Sequence, residues 1–182
     1  SVASLTLADD LRRHDVVAFV RDSDHQVFYP PGMAWFQAPT LLVWQPSDQT
    51  ARISSLVALV LLALATWCLG SQLARGSNAA AGFIAAALVV GSPLTLAMAT
   101  QPMIEVFNGL VVAATLAAQV RFRATGRWRW TLVAALLLWL TILTKYNYAA
   151  FAVAAIVVDQ AIGGDFRRGR LARTFRWFYQ PL

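Results

Sequence analysis

The chain has 182 residues, of which 58% are hydrophobic and only 13% are charged, and its formal net charge is +6. Because ordinary soluble domains carry about 25% charged residues, this composition excludes a typical soluble domain and favours a protein embedded in a membrane. The one cysteine, Cys68, has no partner for a disulfide within the chain, and a cysteine-built metal site is excluded as well.

The first part of the chain, residues 1–50, is more polar than the rest and is predicted to be a loop on the extracytoplasmic side of the membrane. Residues 4–12 place leucine and alanine at helical spacing, and residues 32–44 combine tryptophan and leucine with little charge. Both patterns are typical of interfacial helices that lie on the membrane surface.

The same loop contains the polar sequence Asp22-Ser23-Asp24 beside His25. Two carboxylates in this spacing could hold a divalent cation, and a solvated loop before Tyr29 is the favoured alternative. We therefore predict no dedicated metal site and no cofactor other than such a cation.

Three long apolar runs follow, and we predict membrane spans near residues 53–74, 79–99 and 103–120. Runs of about 20 residues match the thickness of hydrocarbon that a helix must cross. The predicted fold is all-α, a polytopic transmembrane helical bundle over residues 51–160 with about five membrane helices or half-helices.

Arginine is concentrated in two segments, residues 121–129 and the basic segment 161–182. Because arginine and lysine near membrane helices favour the cytoplasm, both segments are predicted to be cytoplasmic, and the turn near residues 100–103 lies on the other side. Orientation and attraction to anionic lipid account for the positive charge. The lipid bilayer is therefore an expected partner, and nucleic acid is not.

The apolar stretch from residue 130 to residue 158 is long enough for one tilted helix, but one crossing would place the second arginine segment outside. A helical hairpin, 130–144 and 146–160, keeps both segments on one side and breaks at Lys145. Each leg would have about 14 residues, a rise of about 21 Å, so the hairpin would have to pack among other helices. One long helix is the alternative.

Glu105 and Lys145 are the only glutamate and the only lysine of the chain. The predicted topology places both at the outer end of a membrane helix, where an ionisable group is costly unless it is paired or lines a wet cavity. We predict that both are catalytic. The alternative is structural, with Glu105 favouring a helix N-terminus and Lys145 reaching the interface.

The outer loop also contains Phe28-Tyr29-Pro30-Pro31-Gly32, in which two prolines make a rigid corner. This motif precedes LVWQPSDQTARISSLV, SPLTLAMATQPMIEVFNGL and RFRATGRWRWTLVAALLLWLTILTKYNYAAF. The ordered series resembles the polyprenyl-phosphate-sugar-dependent membrane glycosyltransferases of the GT-C class. It is similar in particular to the protein O-mannosyltransferase and aminoarabinose transferase group.

The resemblance implies an enzyme of the bacterial inner (plasma) membrane that transfers a sugar from a polyprenyl-phosphate donor to an acceptor on the extracytoplasmic side. The acceptor class, protein, lipid or glycan, stays open. Lys145 would lie near the donor phosphate and Glu105 would occupy an acidic position of the second outer loop. The substrate-binding residues would be Tyr29, Pro30, Pro31 and Gln101.

Two departures from the family pattern are visible. Phe28 and Tyr29 stand where aminoarabinose transferases have an acidic and a basic residue. The catalytic aspartate of the family would fall at or before Ser1, so we expect an inactive fragment, unless Asp9 and Asp10 substitute for it. The alternative function is a transporter or a scaffold subunit, in which charges near the membrane midplane would line a substrate path.

Overall fold

The computed structural model describes residues 2–25, 31–44, 47–74, 78–101 and 104–162. These ranges are helical and contain no strand. The helices are α1 (Val2–Arg12), α2 (Val16–Asp24), α3 (Gly32–Val43), α4 (Asp48–Leu73), α5 (Ala79–Val90), α6 (Pro93–Ala99), α7 (Ile104–Thr125), α8 (Trp128–Thr144) and α9 (Tyr146–Ile162). The predicted fold class, an all-α helical membrane bundle, is confirmed.

Two helices of the described chain, α4 and α7, are long and apolar enough to cross a membrane. The predicted span near residues 79–99 is broken instead, because α5 and α6 are bent by 65° at a short interruption. Pro93 begins α6 and has no backbone N–H to continue the hydrogen bonds of α5, so the chain turns at Gly91 and Ser92. The bent pair could serve as a third span.

The centre of the bundle lies between α4 and α7, with α5 packed on α4 and α8 packed on α7. Side chains of both helices form its core: Ala58, Leu62, Val106, Phe107 and Val111. After α7 the chain turns at Gly126, whose positive φ of 63° suits a residue without a side chain, and α8 returns along α7.

The helices α8 and α9 form a hairpin against α7. Lys145 contacts Glu105 near the beginning of α7, and Asp159 contacts Arg123 near its end. The chain therefore reverses direction at Lys145, since one long helix would carry Asp159 about 21 Å further away from Glu105. Each leg has 17 residues, which is longer than the predicted 14 and corresponds to about 25 Å.

The three N-terminal helices pack together beside this bundle. Buried residues of α1 and α3 form a second apolar cluster: Leu7, Ala8, Ala34, Ala38 and Leu41. Within it, the Ser4 hydroxyl donates to the Gln37 side chain at 2.7 Å. α3 in turn contacts α4 and α8, so it connects the N-terminal helices to the bundle.

The prediction that Asp22 and Asp24 lie in a solvated loop is wrong, because these residues belong to helix α2. The carboxylate of Asp15 accepts a hydrogen bond from the backbone N–H of Ala18 and caps the beginning of this helix. On its inner side the Trp35 indole donates to the hydroxyl of the buried Ser23 at 2.8 Å. Capping and packing therefore stabilise a short helix despite its acidic residues.

Candidate functional site

The ammonium group of Lys145 lies 3.2 Å from a carboxylate oxygen of Glu105. Both side chains are partly exposed, 31% for Lys145 and 24% for Glu105, so they are neither deeply buried nor freely solvated. The Lys145 nitrogen also lies 5.6 Å from the ring centre of Tyr148, at a distance typical of a cation–π contact. The structure thus brings together the only lysine and the only glutamate of the chain.

Local backbone chemistry explains why Lys145 stands at this point. The Thr141 hydroxyl donates to the Leu137 carbonyl, and the Thr144 hydroxyl donates to the Thr141 carbonyl in the last turn of α8. Lys145 itself is extended, with φ −165° and ψ 106°, and its N–H still donates to Thr141. One extended residue is enough to end α8 and begin α9, so Lys145 lies at the apex of the hairpin.

The segment that follows the prolines packs against the end of α8, next to Lys145. Pro31 precedes α3, and a Cβ atom added to the neighbouring Gly32 would overlap the Thr144 side chain and lie 2.9 Å from the Leu143 carbonyl oxygen. Only glycine allows this close approach of α3 to the end of α8. Gly32, which follows Pro31, therefore lies against the last turn of α8 just before Lys145, whereas the predicted substrate-binding residues Tyr29 and Pro30 lie outside the described residues.

Aromatic contacts hold α3 in this position. The Phe36 ring stacks on Phe107 of α7, with ring centres 4.3 Å apart, and Trp35 lies 6.3 Å from Trp139 of α8. Because Phe107 comes two residues after Glu105, these contacts bring the beginning of α3 to the Glu105 end of α7. Three segments that are distant in sequence converge there.

Gln101, the remaining predicted substrate-binding residue, is exposed in the turn after α6, where its backbone N–H donates to the Met98 carbonyl. Among the described residues, its side chain forms no hydrogen bond with Glu105 or Lys145. The structure therefore pairs Glu105 with Lys145 and places Gly32, which follows Pro31, against the end of α8.

An apolar cleft of about 390 Å³ lies between α8 and α9, with α7 as its floor. Its lining includes Gln119, Leu138, Trp139, Ile142 and Ile156. Ile142, about one helical turn before Lys145, is the lining residue nearest to the charged pair, and the other lining residues lie further along the hairpin towards the Arg123 end of α7. No sequence pattern indicates this cleft, because a space between helices depends on how they pack.

Asn108 is a second feature that the sequence analysis missed. It lies one helical turn after Glu105 and is completely buried, and neither polar atom of its amide has a hydrogen-bond partner among the described residues. In the sequence, Asn108 is visible only as a strongly polar residue within the uncharged run that follows Glu105.

The acidic residues of the N-terminal helices have different surroundings. Asp22 accepts a hydrogen bond from the Arg21 guanidinium at 2.9 Å, which raises the pKa of Arg21. Burial raises the pKa of Asp10, and the nearby carboxylates of Asp22, Asp15 and Asp9 add to this effect. Across the described ranges, no three or more His, Cys, Asp or Glu residues are grouped so that they could hold a metal ion.

The match to a family model decides the class of protein. The model of dolichyl-phosphate-mannose-protein mannosyltransferases matches residues 29–180. The chain belongs to this family. No curated protein and no solved structure matches the chain.

Membership of the mannosyltransferase family confirms the resemblance to GT-C enzymes and identifies a membrane glycosyltransferase of the GT-C type. The matched region begins at Tyr29 and includes every residue predicted to act in catalysis or substrate binding. It does not include Asp9, Asp10 or helix α2. The family match and the apolar helices together identify an integral membrane protein.

Proposed function

We propose that the protein transfers a sugar from a polyprenyl-phosphate donor to an acceptor at the extracytoplasmic face of the bacterial inner membrane. The observation that carries this proposal is that Lys145 pairs with a carboxylate at the apex of a hairpin whose two helices line an apolar cleft further along their length. A lipid phosphate needs both a cation for its headgroup and an apolar surface for its tail. The family match supports the same reaction class.

The donor is expected to bind with its phosphate at Lys145 and its isoprenoid chain along the cleft between α8 and α9. The ammonium group attracts the phosphate, and leucine, isoleucine and tryptophan side chains of the cleft offer apolar contact. Gly32 at the beginning of α3 packs against the last turn of α8 beside Lys145, and we assign the beginning of α3 to the headgroup end of this path, where it would limit the space for the sugar.

In the reaction, the bond between the anomeric carbon of the sugar and the phosphate oxygen breaks, and the oxygen keeps the electron pair. The acceptor hydroxyl oxygen forms the new bond to the anomeric carbon, and its proton passes to a carboxylate. Lys145 stabilises the negative charge that develops on the departing phosphate. Glu105 holds Lys145 at this point before the donor arrives.

The orientation follows from the arginines at the other end of α7. Arg121, Arg123, Arg127 and Arg129 cluster where α7 turns into α8, and such clusters favour the cytoplasm. Glu105 and Lys145 then face the extracytoplasmic side. We assign the basic residues to membrane orientation and anionic lipid and propose no role for nucleic acid.

The position of the charged pair favours an enzyme over a transporter or a scaffold subunit. Glu105 is the second residue of α7, at the end of a 22-residue helix. Transporters place their binding charges near the membrane midplane, with access from both sides.

The test is a transfer assay with a polyprenyl-phosphate sugar in membranes that contain the protein as its gene encodes it. Lys145→Ala is expected to reduce turnover by about 10²–10³, because a charge contact made mainly in the transition state is lost. Lys145→Arg should keep partial activity, since it preserves the charge but alters the geometry. Arg127→Ala, in the turn between α7 and α8 at the far end of the hairpin, is the matched control. Normal transfer by a folded Lys145→Ala protein would refute the proposal.

A further inference from the structure

The buried Asn108 lies on α7, one helical turn from Glu105 of the charged pair. It follows Glu105 by one turn on α7, so the two side chains are neighbours on the helix surface. Its amide has one acceptor and two donor positions, and among the described residues no hydrogen-bond partner meets either polar atom. Native proteins rarely leave such a group unpaired, and each case calls for an explanation.

Helical geometry shows on which face of α7 Asn108 lies. Gln119 lies on the floor of the apolar cleft, and it follows Asn108 by 11 residues, which is three turns plus about 20° of rotation. Asn108 therefore lies on the same line of α7 as Gln119 and faces the hairpin of α8 and α9. Along this line Asn108 lies one turn from Glu105, and Gln119 on the floor of the cleft lies about 16 Å beyond it.

A purely structural role does not account for this amide. Thr115 is equally buried on the same helix, but its hydroxyl donates to the Val111 carbonyl and satisfies itself within α7. An asparagine side chain without a partner carries the cost of losing water and gains no hydrogen bond in return. An apolar side chain would be more stable at this position, so the amide is explained better by a ligand.

We propose that Asn108 binds the polar headgroup of the lipid-phosphate donor, with its NH₂ group donating to a phosphate or sugar oxygen and its carbonyl oxygen accepting from a sugar hydroxyl. This inference rests on the proposed function. It assigns Asn108 as the specificity-determining residue at the point where the headgroup meets the isoprenoid chain. When the donor phosphate draws Lys145 away from Glu105, the space behind the ion pair opens and the amide meets the headgroup.

The test compares Asn108→Leu with Thr115→Val in the same membranes. Leucine has the same branching and number of side-chain heavy atoms as asparagine but cannot form hydrogen bonds, so the KM for the polyprenyl-phosphate sugar should rise about 10- to 100-fold with a smaller change in kcat. Thermal stability should change little, because removal of an unpaired buried amide offsets the larger side chain of leucine. Thr115→Val should leave the KM unchanged.

Two outcomes separate this inference from the proposed function. If Asn108→Leu leaves the donor KM unchanged while Lys145→Ala still loses transfer, Asn108 is not a headgroup ligand and the proposed function stands. If Lys145→Ala also transfers normally, the proposed function fails and this inference fails with it. Should Asn108→Leu not assemble, Asn108→Ala decides, since it fits the same space: a raised KM supports the inference and an unchanged KM overturns it.

Discussion

Arg123 pairs with Asp159 at the opposite end of α7 from Glu105 and Lys145. The two ion pairs are 18 residues apart along α7, if counted from Glu105 to Arg123, which corresponds to about 27 Å. Each attaches one end of α9 to α7. The pair of Arg123 and Asp159 therefore sets how far α9 extends along α7, and through α9 it sets the position of Lys145.

We expect charge reversal to reveal this role. Arg123→Asp alone should lower thermal stability and transfer, because it places two carboxylates together. The double variant Arg123→Asp with Asp159→Arg should recover much of both. Since the two side chains are each 33% exposed, the coupling measured by thermal unfolding in detergent should not exceed about 1 kcal/mol. Losses that simply add in the double variant would contradict direct pairing.

Gly32 should not tolerate a methyl group. In Gly32→Ala the new Cβ would overlap the Thr144 side chain and approach the Leu143 carbonyl, so α3 would have to move away from α8. Overpacking of this kind costs about 1–3 kcal/mol. We expect lower thermal stability and reduced transfer, because the end of α8 carries Lys145. Gly109→Ala is the matched control, since its Cβ would lie 3.7 Å from Leu62 in ordinary contact. Equal behaviour of the two variants would refute the close approach.

Asp10→Asn should stabilise the N-terminal helices at neutral pH. Burial, together with the carboxylates of Asp22, Asp15 and Asp9, raises the pKa of Asp10 above its ordinary value of 3.8. The folded protein therefore holds the proton more tightly than the unfolded chain, and the stability that this provides at low pH is lost as pH rises through the folded pKa. The neutral side chain of the variant avoids this loss.

The measurement is thermal unfolding in detergent at neutral pH and at about pH 4. The variant should melt higher than the wild type at neutral pH, and the difference should shrink in acid. Asp9→Asn is the control, because Asp9 is half-exposed and already paired with Arg13 at 2.7 Å. A difference that grows in acid would show that the ionised carboxylate is the stabilising form.

Thiol labelling tests the proposed orientation. In a Cys68→Ala background, single cysteines at Asp24 and Gln101 should react with an impermeant reagent added outside intact cells. Cysteines at Thr125 and Ala161 should react only after the cells are opened, because the hairpin brings both ends back to the arginine side. Labelling at Thr125 from outside would invert the orientation. Opposite labelling of Thr125 and Ala161 would contradict the hairpin.

The fold could be predicted from the sequence where a single strong physical constraint acts. Long apolar runs indicate membrane helices whatever their neighbours are, and α4 and α7 lie close to the predicted spans. The interruption at Pro93 was visible as a proline, but the sequence did not show whether it would kink a helix or separate two. The angle of 65° depends on packing against α4 and α7.

The candidate site could be predicted in part for the same reason. Glu105 and Lys145 were identifiable because each is the only residue of its type in an apolar chain. Their contact joins residues 40 positions apart, which no local pattern reports. Asn108 was missed because its significance comes from burial without a hydrogen-bond partner, and burial is a property of the assembled helices.

Glu105→Gln separates an anchoring role of the ion pair from a functional one. Glutamine keeps the size and one hydrogen-bond acceptor of glutamate but removes the charge, so Lys145 loses its ionic partner. If Glu105 positions Lys145 for the donor phosphate, turnover should fall by about 10²–10³ while the protein remains folded and inserted in the membrane.

The double variant Glu105→Lys with Lys145→Glu distinguishes anchoring of the hairpin from binding of the donor phosphate. It can rebuild the contact with reversed charges, and thermal unfolding should therefore recover towards the wild-type value. Transfer should not recover, because the cation now lies on α7 and the carboxylate stands at the apex of the hairpin, where it repels the donor phosphate. A double variant that recovers both stability and transfer would show that Glu105 and Lys145 only anchor the hairpin, and the assignment of Lys145 to the donor phosphate would then be wrong.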